Sequence, residues 1–153
     1  MPSFHYRLET LLKMRGLERD RCRIALKEAL DRQKSLQEKL DAVDEEIVEL
    51  SDRERSAFAS GAVDMVLIRD LGRYKTVLYD NRTEMLRQMV PIREEVEVCR
   101  ARLLEADRSV KTLEKLREKQ RHEHRAEAER RENKEFDEIA ALGDQDRFSC
   151  EPS

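Results

Sequence analysis

Apolar and small residues recur in two segments of this chain, largely at alternating steps of four and three, and in the first segment the alternation is sustained from Cys22 onward. A single break divides the two segments. This heptad spacing predicts two long helices that bury their stripes against each other. The first stripe comprises Leu8, Leu12, Cys22, Leu26, Ala29, Leu36, Leu40, Val43, Ile47, Leu50 and Ala57. The second comprises Leu67, Leu71, Tyr74, Leu78, Asn81, Met85, Gln88, Ile92, Val96, Cys99, Leu103, Ala106, Val110 and Leu113. We therefore expect an all-α fold, an antiparallel two-helix coiled-coil hairpin.

The break between the stripes is short and rich in small residues. Gly61 is suited to end the first helix in a left-handed conformation, and Asp64 is a good N-cap for the second. A connection this short forces neighbouring helices to run antiparallel. The expected boundaries are a coiled-coil hairpin over 1–143, with helix 1 at about 3–59, a turn at about 60–64 and helix 2 at about 65–142, followed by a flexible tail over 144–153.

Folding the chain about residues 61–63 tests the hairpin, because opposed positions should both be apolar. The predicted pairs are Leu26 with Cys99, Ala29 with Val96, Val43 with Asn81, Ile47 with Leu78 and Leu50 with Tyr74. The second helix is the longer one, so its end from about Glu123 to Leu142 should extend past the first by roughly 30 Å at 1.5 Å per residue.

The second stripe is irregular near Ile92, where two steps of four occur in succession. Such an inserted stutter locally unwinds a supercoil. Pro91 lies beside it, and proline inside a helix removes one backbone hydrogen bond and clashes with the preceding turn. We therefore expect helix 2 to be bent near Pro91.

The composition excludes several classes of function. Charged residues make up 42% of the chain and aromatic residues 5%, which is typical of long helices and poor material for a compact globule. No apolar run is long enough to span a membrane, and the first residues do not form a secretory signal. Three widely spaced cysteines favour a reducing compartment, the cytoplasm.

Residues that could perform chemistry are not arranged for it. The four glycines are isolated, so no phosphate-binding loop is present, and we expect neither an enzyme nor a cofactor. His122 and His124 are two residues apart and would point to different sides of a helix, so we expect no metal site. The basic stretch 111–121 is interleaved with glutamates, which favours a solvated helix over a nucleic-acid-binding one.

Blocks at both ends of the chain resemble a known family. They are Phe4–Leu12 at the start, and Leu103–Ala106, Lys111–Lys119 and Glu132–Ala140 toward the end. In their order, spacing and total length these blocks are similar to the flagellar export protein family FliJ. The alternatives to this interpretation are a structural coiled-coil spacer or tether with no flagellar role and, less favoured, a nucleic-acid clamp.

The resemblance implies a non-catalytic component of the flagellar type III protein export apparatus. Proteins of this family link the hexameric export ATPase, FliI, to the membrane export gate protein, FlhA, and export chaperones are further partners. The resemblance thus implies a cytoplasmic protein associated peripherally with the inner face of the cell membrane at the flagellar base. No nucleic-acid partner and no insertion into the membrane are expected, and the hairpin should be monomeric.

Two sets of residues match positions of the family. The expected gate-binding surface comprises Tyr74, Leu78, Asn81 and Met85, although the last two depart in type from the family pattern. The expected ATPase-binding ends comprise Phe4, Leu8 and Leu11 on the first helix and Leu113, Leu116, Phe136 and Ile139 on the second.

Overall fold

The computed structural model describes residues 2–149, which contain two helices, α1 over Glu9–Ala59 and α2 over Met65–Ser149. The helices pack against each other as an antiparallel hairpin, which confirms the predicted fold class. The chain divides into two compact units. Residues 2–19 and 106–149 belong to one unit, and residues 20–105 form the other.

The first helix begins later than predicted, at Glu9 instead of about residue 3. The preceding residues are not helical, and they lie along α2. Tyr6 is only 4% exposed, and its hydroxyl donates a hydrogen bond of 3.0 Å to the carbonyl oxygen of Leu113. The apolar stripe had suggested that these residues form the first turns of the helix. Instead, the rings of Tyr6 and Phe4 pack on α2 from a non-helical segment.

The turn between the helices confirms one expected cap and corrects another. The Asp64 carboxylate accepts hydrogen bonds from the backbone N–H groups of Val66, at 3.0 Å, and Leu67, at 3.3 Å, which makes it the predicted N-cap. The expected left-handed conformation of Gly61 is wrong, because no glycine among residues 2–149 has a positive φ. Instead the Ser60 hydroxyl lies 3.0 Å from the carbonyl oxygen of Ala57 and 3.2 Å from that of Ala62.

The second helix is longer than predicted and unbroken. It continues through Pro91 and through Gly143 to Ser149, so residues 144–149 of the expected flexible tail are helical. Residues 150–153 of that tail lie outside the described part of the chain. Pro91 is exposed, so its ring displaces no packed side chain, and α2 is assigned as helix on both sides of it. The bend at Pro91 stays a prediction.

Within residues 20–105, three buried clusters hold the helices together and test the predicted register. Ala29 packs with Val96 and Cys99, and Leu26 lies against the same cluster, as predicted. Leu36, Leu40 and Met89 form the second cluster. The third contains Ile47 with Leu78, again as predicted, together with Val43 and Leu50.

The structure corrects the seam of α2, by which we mean the positions that pack on α1. From Leu71 to Leu103 the buried and half-buried residues of α2, apart from Gly72, follow a strict alternation of four and three, so the stutter predicted near Ile92 is wrong. Met89 is 1% exposed and takes the place predicted for Gln88, while Tyr74 and Asn81 lie outside the seam. Within residues 20–105 this seam comprises Leu71, Lys75, Leu78, Arg82, Met85, Met89, Ile92, Val96, Cys99 and Leu103.

Candidate interaction surfaces

The residues of the expected gate-binding surface do not share one surface. Leu78 is 5% exposed in the core of the hairpin, and Met85 is half-buried against two of the core clusters. Tyr74 and Asn81 are exposed. They are seven residues apart on α2, about two helical turns, which puts both on one edge of the helix beside the seam. The structure therefore leaves Tyr74 and Asn81 as the two members of this set that another molecule could reach.

Tyr74 is fixed on this edge by α1. Its hydroxyl donates a hydrogen bond of 2.5 Å to the Glu46 carboxylate. This hydrogen bond, and secondarily the negative charge of Glu46, raise the pKa of the Tyr74 phenol above its ordinary value of 10.0. The ring is thereby oriented while 47% of the residue stays exposed. A rigid, half-exposed tyrosine is well suited to a protein interface, because little side-chain entropy is lost when it binds.

Two basic residues occupy the seam between the core layers near this edge. Lys75 Nζ lies 3.4 Å from a Glu54 carboxylate oxygen, and Arg82 Nε lies 2.6 Å from one of Asp44. Their long aliphatic stems cover apolar surface while the charged groups reach acidic partners on α1. These ion pairs explain why the seam contains Lys75 and Arg82, where the sequence pattern had placed their uncharged neighbours Tyr74 and Asn81.

In the unit of residues 2–19 and 106–149, the expected ATPase-binding residues fall into two groups. The first group is packed: Phe4, Leu8, Leu113 and Leu116 lie against the buried cluster of Tyr6, Leu12 and Val110. The Phe4 ring also contacts the His124 ring, with centroids 5.6 Å apart. Phe4, Leu8, Leu113 and Leu116 are therefore part of the fold of this unit. Leu11, by contrast, is 36% exposed.

The second group projects from a single helix. Every residue of α2 from 131 to 149 is exposed, so no side chain in this part of the helix is buried by the described chain. Phe136 is 68% exposed and Ile139 is 65% exposed. The unpaired part was expected to begin at about Glu123, but the N-terminal residues reach His124 and shift its start to about 131.

The sequence pattern missed Tyr6, which joins the non-helical start of the chain to α2. A signal was present, because Phe4, Tyr6 and Leu8 alternate with polar residues at a period of two, which is typical of an extended segment with one buried face. The heptad pattern of the following helix obscured it.

Residues 2–149 contain neither a cluster of metal-binding side chains nor a helix that could span a membrane. No group of three or more His, Cys, Asp or Glu side chains there is placed to hold a metal ion. Within the same range, neither helix has a stretch apolar enough to cross a membrane. Chemically, the described surface offers exposed apolar and charged side chains to other macromolecules.

Comparison with known proteins identifies the family. A family model described as "Flagellar FliJ protein" matches residues 4–145. The solved structure of a YscO homolog, CT670 from Chlamydia trachomatis, aligns at 22% identity with a TM-score of 0.42, covering 97% of this chain and 100% of that one. No curated protein matches. The family assignment rests on the match to the family model. Because that match spans nearly the whole chain, this protein belongs to the FliJ family of flagellar export proteins.

Proposed function

We propose that this non-enzymatic component of flagellar type III export links the hexameric export ATPase to the membrane export gate. The observation that carries the proposal is the exposed end of α2, over residues 131–149. This end continues α2 without burying any of its side chains, and most helical stability in proteins comes from tertiary packing, so a binding partner would stabilise it.

The chemistry of this end supports insertion into the lumen of the ATPase ring. Phe136, Ile139 and Leu142 follow each other at steps of three, which places them within an arc of about 120° on one side of the helix. The remaining surface carries charges of both signs, such as those of Arg131 and Glu132. A narrow apolar stripe gives a helix one preferred face, and the screened surface charges contribute little binding energy. Contacts of this kind would hold the helix while permitting movement.

The gate would bind the edge of α2 that carries Tyr74 and Asn81. Tyr74 supplies an oriented aromatic ring, and Asn81 supplies both a donor and an acceptor of hydrogen bonds. The buried Leu78 and half-buried Met85 would contribute by holding this edge against α1. On this proposal the protein works at the inner face of the cell membrane, where export chaperones would also meet it. The family match supports a role in the export apparatus, and these partners are our inference from it.

The exposed end can be tested by shortening α2 after Arg130. The shortened protein should keep the hairpin, because every removed residue that the structure describes is exposed. We expect it to lose stimulation of ATP hydrolysis by the purified export ATPase. The full-length double variant Phe136→Asp/Ile139→Asp should lose most of it as well, whereas Leu104→Asp, at another exposed apolar position, should retain it.

Circular dichroism and thermal unfolding of each variant would establish that the hairpin is intact. Full stimulation by the shortened, folded protein would contradict the proposed ATPase contact and would favour a structural spacer instead.

A further inference from the structure

One side of α2 carries exposed or half-exposed residues without charge over about five helical turns. They are separated by steps of four, three, four, three and four, which is the alternation of the seam itself. At 100° per residue they fall within an arc of about 80°, on the opposite side of the helix from Tyr74 and Asn81. Helices pack on one another through stripes with this spacing. We call this set the outer stripe: Gly72, Thr76, Tyr79, Thr83, Leu86 and Val90.

The large members of the outer stripe leave apolar surface in water. Tyr79 is 47% exposed, Leu86 is 41% exposed and Val90 is 55% exposed. In a chain with 42% charged residues, six successive positions of one stripe without charge are unusual for a helix side that only meets solvent. Burying these three side chains against a partner would be favourable in proportion to the apolar area removed from water.

The two threonines of the outer stripe are already satisfied within the helix. The Thr76 hydroxyl donates a hydrogen bond of 3.0 Å to the carbonyl oxygen of Gly72, and the Thr83 hydroxyl donates one of 2.9 Å to that of Tyr79. Burying a hydroxyl is costly only when its hydrogen bond to water is not replaced. Because these bonds would persist in a complex, the threonines would present their methyl groups to a partner at low desolvation cost.

Gly72 is not explained by the hairpin. Glycine in a helix interior costs about 1 kcal/mol relative to alanine. A Cβ atom built at Gly72 would meet nothing closer than a Glu54 carboxylate oxygen at 3.9 Å, which is ordinary contact, and the residue has no positive φ. The missing side chain is therefore not required for packing on α1. It leaves room on the outer stripe for the close approach of another helix.

The outer stripe is bounded at both ends by arginines in the same spacing. Arg69 lies three residues before Gly72, and Arg93 lies three residues after Val90. Both are exposed, and neither makes an ion pair within residues 2–149. They are separated by about 36 Å along the helix at 1.5 Å per residue. Acidic groups at both ends of a bound helix would complement them.

These arginines disfavour a second copy of this chain as the occupant. Antiparallel pairing of two outer stripes would place Arg69 of one copy opposite Arg93 of the other, with the two copies of Asp80 close to each other. Parallel pairing in register would place each arginine opposite its own copy. Like charges that meet across an interface suppress pairing, so the charge pattern favours a helix of different sequence.

We propose that the outer stripe binds an amphipathic helix of another protein, with an apolar repeat of threes and fours and acidic residues at both ends. The bound helix would add a third helix to the hairpin alongside α2. This inference is independent of the proposed ATPase and gate contacts, because it uses neither residues 131–149 nor the edge of Tyr74 and Asn81.

The test uses a fluorescently labelled synthetic helix of about 28 residues, long enough to span both arginines at 1.5 Å per residue. It carries leucines at alternating steps of three and four and glutamates at both ends, and a twin peptide carries lysines at the ends instead. We expect the full-length protein to bind the glutamate peptide, as measured by fluorescence anisotropy, and to bind the lysine twin at least about tenfold more weakly, with the difference shrinking as salt is added.

Variants locate the binding site. The double variant Tyr79→Lys/Leu86→Lys should weaken binding of the glutamate peptide by at least about tenfold, since buried apolar residues dominate such interfaces. Val77→Lys is the matched control, because Val77 is 52% exposed on the same helix but lies outside the outer stripe. It should leave binding unchanged. A Tyr74→Ala variant should also bind normally, which separates this face from the proposed gate edge.

Three results would overturn the proposal. They are absence of binding by the glutamate peptide, equal binding by the lysine twin, and retained binding by the folded Tyr79→Lys/Leu86→Lys variant. Sedimentation of the protein alone supplies a further outcome. A dimer that the double variant converts to a monomer would show that a second copy occupies the stripe, and would also overturn the proposal.

Discussion

The same heptad position of α2 is filled differently on the two sides of Met85. Toward the turn it holds Lys75 and Arg82, whose charged groups reach Glu54 and Asp44 on α1. Away from the turn it holds Met89, which is 1% exposed, and Val96, which is 2% exposed. One seam with one spacing thus contains paired charges in its first layers and closely packed apolar side chains in the next.

The difference separates two tasks of a coiled-coil seam. The pair of Arg82 with Asp44 is about half exposed, and ion pairs in that setting contribute little to stability because water screens them. Such pairs do restrict which residues face each other, since a shift in register would leave a charge without its partner. The apolar layers at Met89 and Val96 are not specific in this way, but they remove more apolar surface from water.

The largest expected effect is at Met89. Met89→Ala removes most of a buried side chain that packs with Leu36 and Leu40, so it should lower the free energy of unfolding by about 3 kcal/mol. Urea unfolding followed by circular dichroism would measure the change. Val90→Ala is the matched control, because Val90 is 55% exposed, and it should cost well under about 1 kcal/mol. An equal loss of unfolding free energy in Met89→Ala and Val90→Ala would contradict the conclusion that Met89 stabilises the hairpin through its burial.

A smaller effect is expected one heptad earlier, at Arg82. Arg82→Met places a side chain like that of Met89 in the seam and leaves Asp44 half exposed, where water can solvate it. Replacing a paired charge with a packed apolar group is often neutral or stabilising, so we expect the free energy of unfolding to stay within about 1 kcal/mol of the original or to rise. A loss of more than about 2 kcal/mol in the same urea titration would show that the ion pair itself holds this layer.

Much of the fold follows from the sequence. The position of the turn and the spacing of the two stripes sufficed to place Ala29 against Val96 and Ile47 against Leu78, because a short connection fixes the register of the whole hairpin. The error in the α2 seam arose where two candidate stripes lie one residue apart. Uncharged Tyr74 and Asn81 resembled seam residues more than Lys75 and Arg82 did, since a one-dimensional pattern does not show the acidic partners on α1.

The candidate surfaces were less predictable, for a related reason. Burial depends on what lies opposite, so the pattern could not show that Leu78 packs inside the hairpin while Tyr74 stays exposed. Nor could it show that Tyr6 would lie on α2 and shift the start of the unpaired helix. The exposure of Phe136 and Ile139 was predictable, because it follows from the unequal lengths of the two segments.

The smallest expected effect concerns the hydrogen bond between Tyr74 and Glu46, next to the charged layers. The neutral phenol donates to the carboxylate, whereas a phenolate could not donate and would be repelled, which is why the pKa of Tyr74 is raised. The stability that this bond contributes is thus fully present below pH 10.0, the ordinary value, and is lost as the pH rises through the higher value of the folded protein. Glu46→Gln should lower the pKa of Tyr74 toward its ordinary value, as followed by the ring resonances of Tyr74 in an NMR titration. Glu49→Gln is the control, because Glu49 pairs with Arg53 and not with Tyr74, so this variant should leave the titration midpoint of Tyr74 unchanged. An unchanged midpoint in Glu46→Gln would show that α1 does not orient the Tyr74 ring.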